Sequence, residues 1–151
     1  MNQSLADIFK NKQPSVASGT PIDWDERREQ YLRAVKNLYE QIERLLVEPI
    51  EQKTATLSRR PKELSENYIG TYKADDLILL AGDEQVRFSP RGRNIVGASG
   101  RVDVLGERGE EILVVQPDGV WRFVESRQPT LKTVGLDEMS LAEALARVMR
   151  S

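Results

Sequence analysis

Cysteine and histidine are both absent from the 151 residues of this chain. Without cysteine there is no disulfide framework and no thiolate metal site. Without histidine the commonest general base and the commonest zinc ligand are missing together. Ser-His-Asp and Cys-His nucleophilic arrangements are thereby excluded. Catalysis would have to rest on carboxylates, lysine, tyrosine or magnesium. No catalytic residue, protein-held metal or cofactor is assigned, and the balance points away from an enzyme.

Long apolar runs are missing too. No stretch approaches the roughly 18 residues of a membrane-spanning helix. The opening Met1-Asn2-Gln3-Ser4-Leu5-Ala6-Asp7 lacks the basic-then-apolar order of a secretory signal. The expectation is a cytoplasmic protein with no membrane partner. Aromatic residues make up only 6%, and 22 basic residues face 24 acidic ones for a net charge of −2. That balance excludes wholesale polyanion binding but leaves room for a local basic patch.

What is present describes one α+β domain. Apolar segments at Leu77–Ala81, Gln85–Ser89, Arg101–Leu105, Glu111–Gln116 and Val120–Glu125 follow one another. Between them lie Gly82-Asp83, a Pro/Gly/Arg loop, Glu107-Arg108-Gly109 and Pro117-Asp118-Gly119. Short Val-, Ile-, Phe- and Trp-rich runs broken by tight turn signals predict an antiparallel meander. With Tyr68–Lys73 added, and Asp75-Asp76 turning the chain, the sheet has five to six strands within 66–134.

A long amphipathic helix is predicted over 21–48. Thr20 with Asp23 forms a capping box, Pro21 suits the first helical position, and Asp23, Asp25 and Glu26 meet the positive end of the dipole. Tyr31, Leu32, Val35, Leu38, Tyr39, Ile42, Leu45 and Leu46 make the apolar stripe. Pro49 ends or kinks it. Residues 49–65 read as a polar connector with a basic knot at Arg59-Arg60-Pro61-Lys62. A short helix over 137–150, capped by Asp137 or Ser140, closes the chain. Leu77–Leu80 and Ile112–Val115 are apolar on both faces, so both faces need cover. The long helix supplies one, and the C-terminal helix or a second subunit the other. Residues 1–19 read as a flexible segment, with Leu5, Ile8 and Phe9 spaced as one apolar helical turn before a Ser/Pro/Gly linker.

Two binding chemistries follow. Leu5, Ile8 and Phe9, with Tyr31, Val35, Leu38, Ile42 and Leu45, are candidate interface residues for a protein partner or a second copy of the chain. Packing of the helix stripe on the chain's own sheet is the competing arrangement. Arg87, Arg91, Arg93, Ser99 and Arg101, among glycines and without an acid from 87 to 101, are candidate contacts for phosphate or nucleic acid. The competing arrangement pairs these arginines with Asp103, Glu107 or Glu84. Base stacking there would need Phe88, Trp121 or Phe123. Gly92 to Ser99 has the glycine spacing of a phosphate loop, but Ala98 stands where the lysine is required. Turn carboxylates at Asp75-Asp76, Asp83-Glu84 and Glu110-Glu111, with Asp103, offer a third chemistry, a magnesium-dependent hydrolase or nuclease. The leading expectation is a non-enzymatic interaction module, self-associating or an accessory subunit of a larger complex of bacterial type.

Overall fold

Helix α1 spans Trp24–Leu45. Asp25 and Glu26 in its first turn and Arg44 in its last complement its dipole. Its buried residues Tyr31, Val35, Leu38, Tyr39 and Ile42 fall on one side of a 3.6-residue period. The chain breaks at Leu46 (φ −102°, ψ 13°) and resumes as a five-residue helix α2, Val47–Glu51. Pro49 has no N–H for the carbonyl of Leu45 and its ring crowds that carbonyl. The break therefore lies where the proline placed it. The computed structural model describes residues 24–66, 69–92, 100–126 and 128–150; the Thr20 cap lies outside them.

Seven strands follow: β1 Thr56–Glu66, β2 Gly70–Ala81, β3 Glu84–Gly92, β4 Gly100–Gly106, β5 Gly109–Val115, β6 Trp121–Ser126 and β7 Lys132–Gly135. They pair in sequence order from β1 to β7, each with its neighbour and antiparallel. Gly82-Asp83 connects the pair Ala81↔Glu84, and Glu107-Arg108 the pair Gly106↔Gly109. Gly82 has φ 65°, a conformation that glycine adopts without steric cost.

Three expectations need correction. The connector 49–65 contains most of β1, an edge strand in continuous register with β2. Backbone pairing needs no apolar alternation where most side chains face solvent. Asp75-Asp76 do not turn the chain: they pair with Pro61 and Arg60 in the middle of β2. The stretch read as Tyr68–Lys73 and the run Leu77–Ala81 are therefore largely one strand. With β7 added at the far edge, the sheet exceeds the expected five to six.

Helix α3, Glu138–Val148, starts from a reciprocal cap. Asp137 Oδ1 accepts from Ser140 N at 2.8 Å, and Ser140 Oγ accepts from Asp137 N at 2.9 Å. The helix does not cover the second face of the sheet. Leu141, Ala144 and Val148 join one core with Val35, Leu38 and Ile42 of α1 and with Leu77, Phe88, Val104, Leu113 and Phe123 of the sheet. Both helices thus lie on the same, inner face. On the outer face Ile78 and Val114 are 3% and 0% exposed. Val114 stands in register between Arg101 and Arg122, and Ile78 between Ser58 and Arg87. Arginine stems shield such apolar neighbours while their heads stay in water.

The α3–sheet contact leaves no space at Gly106, where a β-carbon would collide with the backbone of Val148. Gly106→Ala should therefore cost about 1–3 kcal/mol through overpacking. Gly135→Ala, with nothing within 4 Å, should be neutral within about 0.5 kcal/mol. Denaturant unfolding of both variants checks the contrast.

Candidate binding surfaces on the two faces of the sheet

Three side-chain hydrogen-bonding groups pin α1 to the sheet backbone. Tyr31 Oη donates to Arg101 O at 2.7 Å and accepts from Gly92 N at 3.0 Å. Tyr39 Oη lies 2.5 Å from Asp75 O and 3.3 Å from Phe88 O. Trp121 Nε1 donates to Ala34 O at 2.9 Å. The Tyr31 ring lies against Gly100, where a β-carbon would come within 2.5 Å of it. The helix therefore fixes the ends of β3 and β4, and those ends carry the arginines singled out in the sequence.

The outer face holds a charged seam. Strand alternation puts Lys62 of β1, Asp76 of β2, Arg87 and Ser89 of β3, and Arg101 and Asp103 of β4 on this face. Arg101 forks onto Asp103, Nε to Oδ1 at 2.6 Å and Nη2 to Oδ2 at 3.3 Å. Arg91 Nε lies 3.4 Å from the same carboxylate. The register shifts between Pro90 and Gly92; such a bulge bends its strand and re-aims side chains. Lys62 Nζ donates to Ser89 Oγ at 2.6 Å and lies 3.3 Å from Asp76 Oδ1, while Arg87 Nε is 3.8 Å from Asp76 Oδ2. Asp76, Ser89 and Asp103 are buried. Among the described residues, the buried atoms Asp76 Oδ1 and Arg87 Nε make no hydrogen bond, so Coulomb attraction holds Oδ1 to Lys62 and Oδ2 to Arg87. Burial pulls the Lys62 amine below the ordinary lysine value, against the opposing pull of Asp76.

On the helix side, a cleft of about 260 Å³ opens between α1–α2 and α3. Its apolar lining is Leu45, Leu46, Pro49, Leu141, Ala142 and Leu145, with Glu48, Gln52 and Glu138 completing it. Val47 and Met139, each next in sequence to a lining residue, are among the exposed large apolar side chains. A wider hollow of about 480 Å³ lies between α1 and the β5–β6 turn. There Arg27 is already stacked on Trp24, 5.3 Å from the ring centre.

The candidate residues are thus sorted by face. Arg87, Arg91 and Arg101 come together on the outer face, Arg87 and Arg101 on strands as their runs predict and Arg91 on β3 rather than on the expected loop; Arg93 and Ser99 lie outside the described residues. The acid partners are Asp76 for Arg87 and Asp103 for Arg91 and Arg101. Phe88, Trp121 and Phe123 are buried in the inner core, which removes them as stacking platforms. Of the interface candidates, Tyr31, Val35, Leu38 and Ile42 are used up against the chain's own sheet. Leu45 lines the cleft, and Leu5, Ile8 and Phe9 lie outside the described residues. Of the turn carboxylates, Asp83 and Glu84 are engaged with Arg150, and Glu111 with Arg147. Among the described residues no group of three or more potential metal ligands assembles. Sequence reasoning missed Lys62 and Asp76 as members of the seam. The Arg59–Lys62 knot was the available signal, hidden by the absence of a strand pattern around it.

Burial raises the phenols of Tyr31 and Tyr39 well above the ordinary value of 10.0. A raised folded-state value means that their contribution to stability is complete below pH 10 and is lost as pH rises beyond it. Unfolding free energy should therefore fall above pH 10. The phenolate absorbance of these two tyrosines should appear together with unfolding; early titration of all four tyrosines in a still-folded protein would contradict this.

Compared with protein-family models, with curated proteins and with solved structures, the chain finds no match.

Proposed function

We propose that this chain is a non-enzymatic protein-interaction module that self-associates or serves as an accessory subunit of a larger complex. The observation that carries this reading is the apolar cleft between α1–α2 and α3, with leucines on both walls. Burying a leucine-sized side chain in such a cleft contributes about 1.5–3 kcal/mol. Glu48 and Glu138 at the cleft favour an occupant with cationic flanks. The chain's own N-terminal sequence has that chemistry, with Leu5, Ile8 and Phe9 followed by Lys10 and Lys12. The occupant on this reading is that segment from a second copy. Tyr31, Val35, Leu38 and Ile42 of the α1 stripe play no part, because they are buried in the core; Leu45 and Leu46 line the cleft.

Two variants test the reading by native mass at micromolar concentration. Removal of residues 1–19 should leave a monomer. Ala142→Arg, a change at an exposed position of α3, should weaken association at least about tenfold, equivalent to about 1.4 kcal/mol. A full-length chain that is monomeric at that concentration and recovers no stoichiometric protein partner removes the reading.

A further inference from the structure

We infer that the outer face of the sheet binds the phosphate backbone of single-stranded nucleic acid without reading its bases. Lys62, Arg87, Arg91 and Arg101 share this face with Asp76 and Asp103 as their acid partners. The cations outnumber the acids they share, and each guanidinium has five donors. Arg91 Nε and Arg101 Nε both face Asp103, and Arg87 approaches Asp76 only at 3.8 Å. Donors on every arginine thus remain for an incoming oxyanion. The Arg87 and Arg91 side chains are 42% and 56% exposed.

The spread of the cations sets the ligand class. A site for one small anion converges its donors on a point. Here they run from β1 to β4, about 14 Å at about 4.8 Å per strand. Four cations strung along that length can neutralise at most about four phosphates of a strand laid across them. The buried positions of Phe88, Trp121 and Phe123 leave contact to phosphate, which positions but does not specify. The two acids hold the cations in place before binding. They also compete with phosphate for them, so weakening one acid should strengthen binding.

The surface is independent of the helix-side cleft. The test uses the full-length protein with labelled oligothymidine and oligoadenine of equal length, titrated across salt concentration. The two should bind equally, with log K falling against log salt at a slope of about −3, from about 0.7 per phosphate contacted. Arg91→Ala, at an exposed position, should flatten the slope by about 0.7. Asp103→Asn should raise affinity severalfold if circular dichroism shows it folded; if it is not folded, Arg91→Glu decides, and it should abolish binding. No binding at low salt, an unchanged slope in Arg91→Ala, unchanged binding in Arg91→Glu, or lower affinity in a folded Asp103→Asn would overturn the inference. So would a marked preference for one homopolymer, or tight competition by inorganic pyrophosphate, which would assign the face to a small anion.

Discussion

The rest of the structure depends on how α1 is fastened to the inner face of the sheet. Its apolar stripe supplies the driving force, but apolar burial is not directional and does not fix where a helix lies. The fastening is polar. Tyr39 spans the backbones of β2 and β3, Tyr31 joins the ends of β3 and β4, and Trp121 reaches from β6 to a carbonyl of the helix. Each bond contributes only about 0.5–1.5 kcal/mol net. A misplaced helix, however, would leave these hydroxyl and indole groups buried without partners, at about 1–3 kcal/mol each. The penalty for error selects one seat for the helix. With α1 seated, α3 takes the remaining inner surface over β4 and β5, where Arg108 N donates to Val148 O at 2.9 Å and Arg150 holds Asp83 and Glu107.

Because both helices share one face, the other face must satisfy the physics of a half-buried sheet by other means. Ile78 and Val114 make its strands look doubly apolar, yet their register neighbours include arginines. Asp76 and Asp103 are buried carboxylates whose cost is met by the surrounding cations. Removing one partner of such a buried pair is far more damaging than losing an exposed ion pair, which is worth about 0–1 kcal/mol. The acids are thus tied to the presence of the arginines, and the arginines are held in place by the acids. Side chains ordered in advance lose less freedom when a ligand arrives.

The legible parts of the fold were those encoded locally. Gly82-Asp83, Glu107-Arg108 and Pro117-Asp118-Gly119 punctuate apolar runs, so the pairs β2–β3, β4–β5 and β5–β6 could be laid out from apolar runs and turn chemistry. The stripe of α1, the break at Pro49 and the Asp137–Ser140 cap are likewise neighbour-to-neighbour signals. What stayed hidden depends on distant partners. β1 is mostly solvent-facing and draws its order from its full register with β2, so its sequence carries no period. Asp75-Asp76 resembles a turn because paired acids usually punctuate strands. Here the Asp75 carbonyl faces Tyr39 and the Asp76 side chain is held by Lys62 and Arg87. The same holds for the candidate sites. The arginines were visible as residues, but their assembly into one seam required knowing that β1, β3 and β4 bring them to one face.

The two surfaces lie on opposite sides of the sheet, and residues of α1 border both. Leu45, at the last residue of α1, lines the cleft, and Tyr31, fourteen residues earlier, bonds to Gly92 and Arg101. At 1.5 Å per residue these points are about 21 Å apart along an uninterrupted helix. Its hydrogen-bonded turns form one cooperative unit, so a single folding element borders both surfaces. Tyr31 bonds the backbone of the strand ends that carry Arg91 and Arg101, whose side chains meet at Asp103 on the other face. The cleft and the seam are two chemistries joined by one helix.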